Sequence, residues 1–321
     1  MNNMQLGTAE ETTYGTPVTV DRFYEFLGGE SLDRQQQVLM PQGLRKGLRH
    51  GLGPRRALTK RWGAGSVSME VATTGFGRWF KHMLGDFTTS QVTTGVYTHT
   101  FTPGSLKGKS LTIQKGVEKT DETVQALTFH GCKIPSWELS VSVDGYLQLT
   151  VEVDAEDVED DTALAAASIG TIKNFHFAHA TISKDSTPIA GVSDASIRGT
   201  NALNVERWFL GTAGLKEEPL ENGLRTLAGD LSAEFRDMAT FYEAFEADTS
   251  MELVLAFVGD PIGSTTVTEG LTITLSDVRL TGEAPKVSGP EPAVQSVPFE
   301  AYEDASGSSI TITYTTSDSA P

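Results

Sequence analysis

The feature that most constrains the fold is a strict alternation of apolar and polar residues over short segments. In residues 137–153, WELSVSVDGYLQLTVEV, every second side chain is apolar on either side of the DGY tripeptide. A period of two places the apolar side chains on one face of a strand and the polar ones on the other. A three-residue loop, 144–146, pairs Val143 with Leu147 and keeps each face uniform, whereas a two-residue turn mixes them. The sequence therefore predicts a hairpin with a three-residue loop.

The same alternation recurs in residues 271–280 and 309–318, and residues 251–258 are apolar enough to form a strand that is buried on both faces. Two segments change to helical spacing and predict helices whose apolar stripes pack on a sheet. The first stripe comprises Phe76, Trp79, Phe80, Met83 and Leu84, and the second comprises Met238, Phe241, Tyr242 and Phe245, with Asp237 as an N-cap. The fold class is thus mainly β with flanking helix.

Two similar strands indicate an internal duplication. AGSVSMEV (64–71) and AGDLSAEF (228–235) lie about half a chain apart, and each precedes a helical stripe. A slip of one residue aligns Phe76 with Phe241. We predict two β domains in tandem, residues 1–165 and 166–321, against the alternative that two alternating strands are alike by chance.

The sequence lacks the motifs of common enzymes. It has no P-loop, no H-E-x-x-H and no G-x-S-x-G. His176 and His179 lie in FHFAHATI, which is typical of a strand, so they are expected to point to opposite faces and not to share a metal. Cys132 is the only cysteine. We therefore expect no cofactor, no metal and no catalytic site, although residues distant in sequence could still form one.

Charge is unevenly placed in a chain whose net charge is −17. Such a negative chain is not expected to hold nucleic acid or an anionic membrane without sequence specificity. There is no acid between Pro41 and Trp62, where the basic segment, residues 45–61, contains Arg45, Lys46, Arg49, Arg55, Arg56, Lys60 and Arg61. The acidic run, residues 152–161, contains no base and includes Asp154, Glu156 and Asp157. We hypothesise that these segments associate between copies of the chain.

Neither end of the chain suggests secretion or membrane anchoring. The N-terminal MNNMQLGTAEETTYG lacks the pattern of a signal peptide, and no stretch approaches the ~20 apolar residues of a membrane helix. We expect the protein to fold in a bacterial cytoplasm without a membrane anchor.

Several segments, taken in order, resemble the major tail tube proteins of siphophages, which have long non-contractile tails. They include GTAEETTYGTPVTVDRFYEFLGGESL, GSVSMEVATTGFGRWFKHMLGD, FHGCKIPSWELSVSVDGYLQLTVEVDAED and the closing PAVQSVPFEAYED. The resemblance covers most of the chain and rests on the position and composition of segments. The chain is about twice as long as a minimal tube domain, which a tandem duplication would explain, and an appended decoration domain in one half is the competing explanation.

The resemblance implies a β-sandwich with a flanking helix that assembles into stacked rings around a channel for DNA. It implies location in the virion, assembly in the host cytoplasm, and tape-measure, tail terminator and distal tail proteins as partners. The expected channel-facing residues are the polar positions of the hairpin: Glu138, Ser140, Ser142, Gln148, Thr150 and Glu152. Six domain positions per ring, filled by duplicated chains, predict a trimer, and a hexamer with one decorating half is the alternative.

The main rival function is that of a virion adhesin or carbohydrate-binding β-sandwich. Such a module should expose aromatic platforms, and Trp62 and Trp208 are the candidates, since Trp79 and Trp137 lie on apolar stripes. An unrecognised hydrolase is a weaker third possibility.

Overall fold

The computed structural model describes residues 3–236, 238, 241–282, 293–305 and 307–321, and these residues fold mainly into β-strands. In the first half, the strands are β1 (Gln5–Glu10), β2 (Arg22–Tyr24), β3 (Asp33–Leu39), β4 (Ala57–Glu70), β5 (Gly85–Thr93), β6 (Val96–Pro103), β7 (Leu111–Glu118), β8 (Val124–Cys132), β9 (Ser136–Ser142), β10 (Gln148–Ala155) and β11 (Asp157–Glu159). Helix α1 (Gly77–Leu84) lies between β4 and β5.

The second half contains strands β12 (Ala180–Lys184), β13 (Thr187–Pro188), β14 (Val192–Thr200), β15 (Leu203–Asn204), β16 (Leu220–Glu221), β17 (Thr226–Glu234), β18 (Met251–Pro261), β19 (Thr268–Leu280), β20 (Val294–Tyr302) and β21 (Ile310–Thr316). Helix α2 (Tyr242–Glu246) lies between β17 and β18. Single 3-10 turns occupy Gly53–Arg55 and Phe177–His179.

Eight antiparallel strands form what is here named the central sheet, in the order β3-β4-β10-β9-β14-β17-β20-β19. Behind it lie β2-β1-β7-β8-β11 in the first half and β13-β12-β18-β19-β21 in the second. Strand β19 belongs to both layers, because residues 277–280 pair with β20 while residues 270–275 pair with β21. The apolar side chains between the layers form one continuous core.

The two halves arrange their strands alike. In the central sheet, β3-β4-β10-β9 is followed by β14-β17-β20-β19, and a helix comes directly after β4 and after β17. The matched segments AGSVSMEV and AGDLSAEF occupy the second strand of each set. Among the residues that the structure describes, the hairpin β5–β6 has no counterpart in the second half, and β6 pairs with β21 of that half.

The first helical stripe is confirmed, because Trp79, Phe80 and Met83 on α1 are fully buried. The second is wrong at its start: α2 begins at Tyr242 with Phe241 as its N-cap residue, and Met238 is exposed. The predicted N-cap, Asp237, lies outside the described residues. Both helices nevertheless begin at matched residues, since Phe76 is the N-cap residue of α1.

The hairpin at 137–153 is confirmed, but its predicted register is wrong by two residues. Leu149 lies opposite Leu139, and residues 143–147 connect β9 to β10. The N–H of Gly145 donates to the carbonyl oxygen of Ser142 and closes the turn early, while Val143 donates to Ser193 on β14. A shift of two keeps the apolar face intact, so the periodicity could not detect it.

Strands are confirmed at β19 and β21. In residues 251–258, Leu253, Leu255 and Phe257 are buried, but the alternate side chains are only partly covered and Val258 is exposed. The prediction of a strand buried on both faces is therefore wrong for this segment.

Candidate functional site

The central sheet has an apolar face, which packs on the layer behind it, and a polar face open to solvent. The polar face carries all six hairpin residues that the sequence assigns to a channel, since Ser140 lies opposite Gln148 and Glu138 opposite Thr150. The pairings with the adjacent strands extend the face across all eight strands. Its carboxylates include Glu70, Glu138, Glu152, Asp194, Asp230, Glu234 and Glu300.

Hydroxyl groups on the polar face bond to one another across strands. Ser68 and Thr150 have their side-chain oxygens 2.8 Å apart, and Ser31 and Ser66 have theirs 2.9 Å apart. The hydroxyl of Ser296 donates to the carboxylate of Asp230 over 2.6 Å. The face is thus covered by short side chains that have partners in the sheet.

Two arginines lie on the polar face among these carboxylates. Arg198 lies opposite Glu138, and Arg279 lies opposite Glu300. The Nε of Arg279 also donates to the carboxylate of Asp277 over 3.0 Å. The carboxylates outnumber the arginines, so the net charge of the polar face is negative.

The two halves meet in the central sheet where β9 pairs with β14, and this junction is here named the seam. Its register runs from Ser142 opposite Asp194 to Ser136 opposite Thr200. On the apolar side, the indole of Trp137 lies against Gly199, where a Cβ atom would stand 2.5 Å from the ring. A glycine is required there because the ring occupies the space of any side chain.

Two acids of the acidic run form ion pairs within the chain. Asp154 pairs with Lys216, and both side chains are buried. The carboxylate of Asp157 lies 2.9 Å from the Nε of Arg61. Burial raises the pKa of Asp154 to about 6, while Lys216 opposes that shift. These acids are therefore engaged without a second copy of the chain.

Glu156 lies between these two acids in the sequence, and its pKa is raised to a higher value than that of Asp154. Burial, together with the negative charges of Glu11 and Asp157, raises its pKa to about 7. The nearest imidazole nitrogen, Nδ1 of His130, is 3.9 Å from its carboxylate. Glu156 therefore titrates near neutral pH.

The basic segment divides into an exposed part and a packed part. Five of its bases lie in the loop between β3 and β4, and among the described residues they form no ion pair: Arg45, Lys46, Arg49, Arg55 and Arg56. Lys60 on β4 lies with its Nζ 4.5 Å from the ring centre of Trp208 and 4.0 Å from the carboxylate of Glu206. Arg61 is held by Asp157. The exposed bases are the ones available to a partner.

The corresponding connection of the second half, residues 205–219, packs onto the first half and is here named the anchored loop. The N–H of Arg61 donates to the carbonyl oxygen of Gly214 over 3.1 Å, and Lys216 reaches Asp154 on β10. Trp208 and Trp62 meet edge to face, 5.6 Å between ring centres. The two indoles contact each other, and this contact holds the loop against the first half.

The expected strand at FHFAHATI is wrong over its first part. Residues 177–179 form a 3-10 turn, and the imidazoles of His176 and His179 stack with ring centres 3.7 Å apart. The turn breaks the period of two and brings both rings to one side. In the part of the chain that is described, no group of three or more His, Cys, Asp or Glu side chains is placed to hold a metal.

Comparison with known families matches residues 1–301 to a family described as phage tail tube protein. No curated protein matches the chain. No helix within the described residues is both long and apolar enough to cross a membrane.

Proposed function

Because the chain belongs to the phage tail tube protein family, we propose that its copies form stacked rings around a channel through which DNA passes during ejection. The family makes the chain a structural protein of the virion tail. The observation that supports the finer proposal is the polar face, which extends over eight strands and is bounded by the edge strand β3. A sheet with unpaired edges is suited to pairing with the next subunit.

The polar face is proposed to line the channel. Carboxylates such as Glu138 and Glu152 repel phosphate, and serine and threonine hydroxyls bonded within the sheet offer it few free donors. Arg279 is engaged by Asp277. Duplex DNA would therefore move along this surface without being held.

Each ring is proposed to contain three chains. The similar strand order of the two halves supports two tube domains per chain, residues 1–165 and 166–321, so that three chains supply six positions. Covalent linkage of two domains would also raise their effective concentration during assembly. In the alternative, six chains form the ring with one half and the other half decorates it.

The exposed bases of the basic segment are proposed to contact a neighbouring subunit. The acidic run was the expected partner, but Asp154 and Asp157 already pair within the chain. Glu156 is the third acid assigned to that contact, and its raised pKa makes it a poor permanent charge at neutral pH. We therefore propose that the loop meets other acids of the neighbour.

The remaining features of the proposal follow the family resemblance. The tail would be the long non-contractile tail of a siphophage, built in the host cytoplasm. The tape-measure protein would occupy the growing channel, and tail terminator and distal tail proteins would contact the ends of the tube.

Electron microscopy of the purified protein tests this function. We expect hollow tubes with the six hairpin residues on the channel wall, and a ring mass of three chains. Placement of those six side chains on the outer surface would refute the channel assignment. A ring of six chains would refute the trimer while leaving the tube intact.

A second test addresses the basic segment. Reversal of Arg55 and Arg56 to glutamate should impair assembly, because both side chains are exposed and unpaired among the described residues, while the monomer stays folded. The control is Lys173→Glu, which breaks an exposed ion pair with Asp260 on β18. Normal tubes with unchanged salt sensitivity from the double reversal would contradict the role of the loop.

A further inference from the structure

The seam shows how the first half of this chain joins the second. Strand β14, the first central strand of the second half, pairs with β9, the last central strand of the first half. The anchored loop, which follows β14, then packs against the first half, where it contacts Arg61 on β4 and Asp154 on β10. A strand pairing and a crossing loop therefore make the junction together.

The pairing registers show which residues of β3 correspond to which residues of β14. Asp33 lies opposite the first alanine of AGSVSMEV, and Arg198 lies opposite the first alanine of AGDLSAEF. Gln35 and Thr200 each follow two residues later. Gln35 on β3 therefore corresponds to Thr200 on β14.

The registers of β10 and β20 show in the same way which residues of β9 and β19 correspond. Glu152 lies opposite the third residue of AGSVSMEV, and Pro298 lies opposite the third residue of AGDLSAEF. Trp137 lies opposite Val151, and extending this register by one residue places Ser136 opposite Glu152. Thr281 donates its N–H to the carbonyl oxygen of Pro298 over 2.9 Å. Ser136 therefore corresponds to Thr281.

We propose that the junction between subunits repeats the seam, so that the start of β3 of one subunit pairs antiparallel with residues 281–282 of the next and Gln35 lies opposite Thr281. The proposal rests on the ring assembly proposed above. Thr200 lies opposite Ser136 in the seam, and Gln35 and Thr281 are their counterparts. Within the described residues β3 pairs with β4 alone, and Gln35 and Thr281 are both exposed.

The same repetition identifies the partner of the exposed bases. The loop between β3 and β4 is the counterpart of the anchored loop, which contacts Asp154 near the end of β10. The counterpart of Asp154 on β20 is Glu300, and Glu303 follows where Asp157 stands in the first half. Both glutamates are exposed, and the bases of the loop carry the opposite charge. The loop of one subunit thus covers Glu300 and Glu303 of the neighbour.

Disulfide cross-linking tests the register. Thr200 and Ser136 form a non-hydrogen-bonded pair. The N–H of Asn201 donates to the carbonyl oxygen of Pro135 and the N–H of Val143 to that of Ser193, and hydrogen-bonded pairs alternate along the seam, so the pair of Thr200 and Ser136 falls between them. Cα atoms in such a pair are about 4.5 Å apart, which permits a disulfide. Mild oxidation of assembled Gln35→Cys/Thr281→Cys protein should shift the band on a non-reducing gel from one chain to a ladder that ends at three.

Matched variants provide the controls for cross-linking. In Ser136→Cys/Thr200→Cys the disulfide should form within one chain, because the seam lies within one chain. The two new thiols should therefore disappear while the band stays at the mass of a single chain. Gln37→Cys/Thr281→Cys displaces the pair by two residues on the same face and should cross-link far less. Cys132 is buried and can remain.

The outcomes separate this proposal from the proposed function. Rings that form but do not cross-link through Gln35→Cys/Thr281→Cys, or that cross-link better through the displaced pair, overturn the register while leaving the tube function standing. Absence of rings from the wild-type protein overturns both.

A charge exchange tests the loop contact separately. Glu300→Lys/Glu303→Lys should raise the protein concentration needed for assembly about tenfold, the effect of losing two exposed ion pairs. Combining it with Arg55→Glu/Arg56→Glu should restore assembly. Failure of the combined variant to recover, when each parent assembles poorly and remains folded, overturns this contact.

Discussion

The two halves of the chain place similar strands in a similar order, yet they fill the space beside those strands very differently. In the first half, Tyr24 on β2 packs on Phe76 and Trp79, with ring centres 5.6 and 5.5 Å apart. In the second half, the corresponding short strand β13 contains Pro188, and a pocket of about 520 Å³ that is open to solvent lies between it and Phe241. The strand order can therefore persist while the core of one half is reduced.

The helices show the same difference. Helix α1 has eight residues and buries nearly its whole length, whereas α2 has five residues, of which Ala244 alone is buried. A short helix is marginal without packing, so α2 depends on the sheet behind it more than α1 does. The second half gains support from the first, because β6 extends its outer layer through β21.

The largest expected effect is loss of the aromatic core of the first half. Trp79→Ala should cost about 3–5 kcal/mol in the free energy of unfolding, because the side chain is fully buried. Phe245→Ala on α2 should cost clearly less, since that ring is only partly covered. Urea denaturation of unassembled protein measures both. Equal costs would contradict the difference in packing between the halves.

A smaller effect is expected at the buried ion pair that joins the halves. Lys216→Met should cost about 3 kcal/mol at neutral pH, because it leaves the buried carboxylate of Asp154 without its partner. Lys216→Met/Asp154→Leu should recover most of that loss. The exposed pair of Lys173 and Asp260 provides a control, in which Lys173→Met should leave the melting temperature unchanged. No recovery in the double variant would show that the loop is held by other contacts.

The smallest effect depends on pH and belongs to the first half. The folded pKa of Glu156, about 7, lies above its ordinary value of 4.5, so its protonation stabilises the fold at low pH. This stabilisation is complete below about pH 4.5 and is lost as the pH rises through 7. Glu156→Gln should therefore raise the melting temperature at pH 8 relative to wild type, and change it little at pH 4.5. The same increase at both pH values would exclude titration of Glu156 as its cause.

The sequence predicted the features that depend on periodicity. The hairpin faces, α1 and the matched strands all follow from apolar spacing, which the pleat and the helical turn translate directly into faces. The hairpin register was wrong because a shift of two residues leaves each face unchanged. The start of α2 was wrong because a stripe of four apolar residues specifies a face but not where the chain enters the helix.

The contacts of the candidate site depend on tertiary structure that no local pattern encodes. Asp154 was expected to bind another copy, but Lys216 reaches it from a loop more than sixty residues away. The seam was missed for the same reason, since β9 and β14 are separated by the whole connection between the halves. The stacking of His176 and His179 requires a 3-10 turn in a segment whose composition is typical of a strand.

The pairing of β6 with β21 has a consequence for synthesis of the chain on the ribosome. Phe101 on β6 lies opposite Ile312 on β21, so about two hundred further residues must be translated before β6 has this partner. At roughly 5–20 residues per second, that delay is on the order of 10–40 s. During it, one edge of β6 remains available to other nascent chains. We therefore expect premature association to begin at this hairpin, and slower growth at lower temperature should lengthen that exposure.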